Sequence, residues 1–161
     1  MVTCCHNGPV SDLKARLRSD LTDAIKARDS VRSSTLRMVL TAVTNAEVAG
    51  KEQRELGDEE VLAVLGTEAK KRREAAEAFD AAGRTESAVK ERAEAEVIAE
   101  YLPAQLTPEE IAALVAETIT SLGAADEGMR AMGKVMGALQ PRTKNRADGG
   151  AVAAEVRRQL G

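Results

Sequence analysis

The chain has no tryptophan, and its only aromatic residues are Phe79 and Tyr101. β-Sandwiches and barrels draw their cores from aromatic and β-branched strands, so this scarcity argues against them. Cysteine is confined to the adjacent pair Cys4 and Cys5. Neighbouring residues rarely meet disulfide geometry, so no covalent staple is expected. His6 is the single histidine. With the two cysteines it forms a three-residue run that cannot easily surround a tetrahedral ion and lacks a fourth ligand, so no metal site is expected. A disordered tail over residues 1–10 is the simpler reading. No apolar run approaches the roughly 18 residues that span a bilayer. The opening "MVTCCHNGPV" has neither the basic start nor the apolar stretch of a signal peptide, so a cytoplasmic location is expected.

What remains is a chain of 161 residues, 30% charged and rich in Ala, Glu, Arg, Leu and Val. That balance favours helices packed through small aliphatic contacts. The length suits one domain or two small ones. Apolar spacing and end signals mark a helix over about 11–28, with Leu13, Leu17, Leu21, Ala24 and Ile25 on one face, and a second over about 30–49, with Val31, Leu36, Val39, Leu40 and Val43 inside. A third begins at Asp58, read as its cap, and continues to about Ala82, with Val61, Leu65, Ala69, Arg72, Ala76 and Phe79 in one stripe. Thr85 is read as the cap of a fourth, which Pro103 ends. "TPEE" at 107–110 sets a capping box with proline at the first helical position. A sixth helix is read over about 129–139, stopped by Pro141, and a last short one follows Asp148. The expected fold class is all-α: an N-terminal four-helix domain over 11–102 and a small C-terminal three-helix domain over 103–161.

Few motifs carry chemistry. "GMRAMGKV", 128–135, matches the phosphate-binding loop G-x-x-x-x-G-K-[ST] except at Val135, where a hydroxyl would ligate magnesium. That loop must also follow a buried strand, and "SLGAADE" is no such strand. The run "KKRRE", 70–74, is basic in isolation. Glu68, Glu74 and Glu77 stand four residues from Arg72, Lys70 and Arg73, which predicts a solvated, self-neutralised face. There is no G-x-S-x-G or H-E-x-x-H. No catalytic residue and no cofactor is predicted.

Charge is distributed unevenly. Residues 1–127 carry a net −8, residues 128–147 a net +5 with no acidic residue, and residues 148–161 balance to zero, giving −3 for the chain. The five cations of the middle segment, Arg130, Lys134, Arg142, Lys144 and Arg146, are the candidate RNA-binding residues. Asn145 there tolerates a left-handed backbone. Gly149 and Gly150 leave the next helix start uncovered, a pattern suited to phosphate.

Taken in order, "STLRMVLTAVTNAEV", "AEYLPAQL", "MGKVMGALQP" and "RADG" resemble the YqeY family over about Leu13 to Leu160. The resemblance implies an all-α protein with a helical N-terminal domain and a small three-helix C-terminal domain. That family is similar to the tail domain of the GatB subunit of glutamine-dependent tRNA amidotransferase, a type of domain also appended to some glutaminyl-tRNA synthetases. In the larger enzymes the tail contacts tRNA and does not carry the active site. By position its basic elements fall on Lys134, Arg142, Lys144 and Arg146. Asn145 stands where the family often has glycine, and Gly150 where a basic residue is common. The resemblance therefore implies a non-catalytic, tRNA-binding accessory protein. Its alternatives are an accessory subunit of an amidotransferase, with an inherited carbon–nitrogen ligase activity using glutamine, and a helical protein-interaction module without RNA binding. An amidotransferase or an aminoacyl-tRNA synthetase is the implied protein partner, and no membrane is.

Overall fold

The computed structural model describes residues 11–161; the Cys4–Cys5–His6 run and the tail expected over 1–10 lie outside the described residues. Among the described residues the regular structure is entirely helical. The helices are α1 (Asp12–Lys26), α2 (Ser30–Val48), α3 (Asp58–Ala81), α4 (Thr85–Ala99), α5 (Pro108–Ser121), a 3-10 helix (Ala125–Ala131), α6 (Met132–Thr143) and α7 (Gly149–Leu160). The all-α expectation therefore holds. The chain divides into two compact units, one ending at Tyr101 and the other running from Leu102 to Gly161.

The first unit packs Leu17 of α1, Leu36, Val39 and Val43 of α2, Val61 and Leu65 of α3, and Ile98 of α4 into its core. Ile25 and Val31, read as inward-facing, are about half and more than a third exposed. Each lies in the terminal turn of its helix, beyond the packed face. The Ser11 hydroxyl accepts from the Lys14 N–H at 3.2 Å and starts α1. Asp29 does the same for α2, accepting from the Arg32 N–H at 2.9 Å. Asp58 does not cap α3. Gly57 holds that position, and Asp58 is the first helical residue. Its carboxylate instead accepts from the Ser11 hydroxyl and from the Leu13 N–H at 3.1 Å, so it serves the start of α1. The Ser11 bond, then the Leu13 bond, hold Asp58 below the ordinary carboxylate range. Thr85 likewise lies inside α4, and Arg84 precedes it as the cap residue without a side-chain bond.

A buried ion pair ties three segments together. Lys14 Nζ lies 2.5 Å from Glu47 Oε1, and both residues are buried. The same Glu47 oxygen accepts from the Leu56 N–H at 3.3 Å, and the Glu47 carbonyl accepts from the Arg54 N–H at 3.1 Å. One carboxylate thus joins α1, α2 and the connection before α3. At the C-terminal end of this unit, Tyr101 is buried. Its hydroxyl donates to Asp20 Oδ2 at 2.6 Å and accepts from Arg32 Nη2 at 3.2 Å. Arg32 also pairs with Glu100 at 2.7 Å, and the Arg16 guanidinium sits 4.9 Å above the tyrosine ring.

Arg72 departs from the solvated face read for "KKRRE". Lys70 and Lys71 do pair along the helix surface, with Glu74 and Glu68. Arg72 turns inward, with Glu68 at 3.7 Å, Glu91 at 3.6 Å and Glu94 at 3.3 Å, and it touches Met38 of α2. Its position in the apolar stripe of α3 puts it at the α3–α4 contact, where Glu91 and Glu94 of α4 join Glu68 of its own helix around its charge.

In the second unit, Ile111, Val115 and Ile119 of α5, Val135 and Leu139 of α6, and Val152, Val156 and Leu160 of α7 form one aliphatic core. Thr107 and Glu110 close the capping box at α5, at 3.2 and 2.8 Å. The sixth helix differs from its sequence reading at both ends. Residues 125–131 form the 3-10 turn, broken at Gly128 with φ 54° and ψ −141°, a conformation open essentially to glycine. Helix α6 then runs through Pro141 to Thr143. The proline removes one backbone donor, yet the next turn closes: Thr143 is buried, and the Lys144 N–H bonds the Gln140 carbonyl at 2.9 Å.

Two predictions follow from the ion pairs of the first unit. Replacing Lys14 with Met strands a buried carboxylate and should lower unfolding stability at pH 7 by roughly 3–5 kcal/mol. Lys14 is the largest cause holding Glu47 below its ordinary 4.5. In the native protein this contribution is full above the unfolded carboxylate's value and is lost as pH falls through the folded one. The loss on substitution should therefore shrink in acid-shifted urea titrations, and a pH-independent loss would contradict the assignment. Tyr101 is the chain's only tyrosine. Burial first, then the Asp20 bond, push its hydroxyl up to about 12. Its stabilising effect is full below the unfolded value near 10 and is lost as pH rises through about 12. Absorbance titration of the folded protein should show one tyrosinate transition near the higher value, and ionisation near 10 would refute the burial of Tyr101 and its bond to Asp20.

Candidate nucleic-acid interface

Helix α6 can bury only one stripe. Val135, Leu139 and Thr143 are its buried positions, and Ala131, just before the helix, continues their spacing of four. At about 100° per residue, Gly133 and Gly137 then fall on the opposite side of the helix. Both are exposed. A Cβ built at either one would meet nothing within 4 Å. The outer face of α6 is thus backbone without side-chain bulk. Gln140, also exposed, continues that face. Lys134 stands on one flank, Arg130 is exposed in the preceding turn, and Lys144 is exposed just past the last turn.

The structure separates the five candidate cations into two groups. Arg130, Lys134 and Lys144 belong to the bare face of α6 or its ends. Arg142 and Arg146 line a cleft of about 430 Å³ on the α5 side, with Leu106, Leu114, Glu117 and Pro141. Arg142 reaches Glu117 of α5 through two bonds, Nη1 to Oε1 at 3.2 Å and Nη2 to Oε2 at 3.3 Å. Arg146 donates its Nε–H to the Ala104 carbonyl at 3.2 Å. Beside this, the Leu106 N–H bonds the Arg146 carbonyl at 2.7 Å, so the loop after α6 is stitched to the segment entering α5. Lys134 is itself near acceptors: Nζ lies 3.4 Å from both Glu127 Oε1 and the Leu122 carbonyl.

Sequence reading missed Glu117 and Glu127. The window 128–147 has no acidic residue, but the fold brings two carboxylates to it from outside. The Glu117–Arg142 pair spans 25 positions, so no helical spacing rule could announce it. The exclusion of a phosphate-binding loop holds, and another reading changes with geometry. The match to a phosphate-binding loop fails, because 128–135 pass from a 3-10 turn into a helix with no strand before them. The start of α7 is not open to an anion either: Asp148 caps it, accepting from the Ala151 N–H at 3.3 Å. A Cβ at Gly150 would come within 3.0 Å of the Asp148 carboxylate, so a side chain there, basic or otherwise, must displace that oxygen. Asn145 adopts the left-handed conformation read for it, with φ 60°.

Lys144, Met136, Gly137, Thr143 and Gly149 border a second cleft, also about 430 Å³, between α6 and the start of α7. Among the described residues, no group of three or more histidine, cysteine or carboxylate side chains could hold a metal ion. No helix there is long and apolar enough to cross a membrane.

Residues 14–160 match the family described as Yqey-like protein. An uncharacterized protein of Schizosaccharomyces pombe is 33% identical over 94 residues, covering 58% of this chain and 75% of that protein. With the match running from α1 to the last turn of α7, the chain belongs to the YqeY family.

Proposed function

We propose that this chain is a tRNA-binding accessory protein that holds the phosphate backbone against the outer face of α6. The observation that supports this reading is the bare helix face. Two exposed glycines leave room for a sugar–phosphate strand to lie close to the helix, and cations stand beside and at both ends of that track. Lys134 and Lys144 are ten residues apart, roughly 15 Å along the axis, so they would meet separate phosphates. Contacts of this kind position a nucleic acid and carry little base specificity.

The first unit adds nothing to this attraction. Up to Tyr101 the chain has 19 acidic against 16 basic residues, and its most buried cations, Lys14 and Arg72, are committed to carboxylates. Binding should therefore be local and salt-sensitive, with affinity on the order of micromolar at physiological salt. Reversing Lys134 and Lys144 together to Glu should weaken tRNA binding and flatten the log–log salt dependence by about 2. Helix content by circular dichroism should not change, since neither residue is in the core. If affinity and salt slope stay as in the native protein, the reading is wrong.

A further inference from the structure

We infer that Glu117 is a built-in competitor for phosphate: it occupies the Arg142 guanidinium in the free protein and must be displaced before that arginine can engage RNA. The inference rests on the tRNA-binding reading above and adds to it a means by which the fold limits affinity.

The geometry is the starting point. Arg142 presents both terminal nitrogens to the two oxygens of Glu117, at 3.2 and 3.3 Å. This paired approach is the one a guanidinium uses for a phosphate, so carboxylate and phosphate are alternatives for the same fork. The pair is open to solvent, with 47% of the Arg142 side chain and 64% of the Glu117 side chain exposed. An exposed pair of this kind is weak, and its exchange for another anion is easy. It is therefore a poor lock for α5 against α6, whose contact is made by Val115, Val135 and Leu139 in the core. It is well suited to a contact that opens and closes.

The setting gives the exchange a consequence. Arg142 and Arg146 share one cleft, and Arg146 is oriented by the Ala104 carbonyl, a neutral acceptor that leaves its charge uncompensated. Glu117 is the carboxylate that neutralises the mouth of this cleft. Glu110, the other one lining it, has an oxygen committed to the Thr107 N–H in the capping box of α5. With Glu117 on Arg142, the cleft offers a phosphate one guanidinium without a carboxylate on it, that of Arg146. With Glu117 turned to solvent, it offers two.

A double-mutant cycle tests this, with unfractionated tRNA as probe and with Glu117→Gln, Arg142→Gln and the double variant compared with the native chain. Removing the competitor should raise affinity about two- to fivefold at low salt, and less as salt rises. In the Arg142→Gln background the same change should give no gain. An equal gain in both backgrounds would show that only net charge matters and would overturn the inference, as would no gain in the native background. If no variant binds tRNA, the function proposed above fails, and inorganic pyrophosphate then decides the competition alone. Followed through the Arg142 side-chain NMR signal, Glu117→Gln must bind pyrophosphate more tightly than the native chain, and equal binding contradicts the inference.

Discussion

Burial of Val135 and Leu139 is the constraint on which the candidate interface depends. These residues are completely enclosed by α5 and α7, in a core without a single aromatic ring. Small aliphatic cores tolerate little rotation of a helix, because each shift opens a cavity that neighbours cannot fill. The orientation of α6 is thereby set. Gly133 and Gly137 must face outward, and the cations around them follow. The Gly128 kink and the Leu106–Arg146 backbone bond fix where α6 begins and where the loop beyond it goes. Positive charge is thus placed by packing of apolar residues that never touch a ligand.

The first unit uses charge in the opposite way. Lys14, Arg32 and Arg72 are turned toward Glu47, Glu100 and the Glu68–Glu91–Glu94 set, where they hold helices together. Breaking the Lys14 or Arg72 pairs is costly because a desolvated carboxylate is left behind, whereas Glu100 is half exposed. Tyr101 shows the same economy: the only tyrosine of the chain is spent on joining α1, α2 and the end of α4 through Asp20 and Arg32. The second unit keeps its pairs at the surface, as between Arg142 and Glu117, where exchange is cheap.

Much of the fold was legible because it rests on local rules. The capping box of Thr107 and Glu110, the helix start after Asp148 and the helical spacing of Ile111, Val115 and Ile119 are all short-range signals, and all stand in the structure. The basic segment was legible as composition. What escaped was long-range. Asp58 was read as the cap of its own helix and instead serves Ser11 and Leu13, some 45 positions away. Arg72 looked solvated because its partners Glu91 and Glu94 come from another helix. Pro141 was read as a stop, but packing of Thr143 carries the helix one turn further. The grouping of Lys134 and Lys144 apart from Arg142 and Arg146 needed the helix phase, which the core alone determines.

The most direct test replaces both outer glycines of α6 with leucine and measures stability and tRNA binding on the same protein. Nothing lies within 4 Å of the added Cβ atoms, and leucine favours helix over glycine by up to about 1 kcal/mol per position. No charge changes. If the bare face is where the phosphate backbone lies, the variant should be more stable than the native chain and should lose tRNA affinity. A variant that gains stability and still binds tRNA as tightly as the native protein would contradict the account.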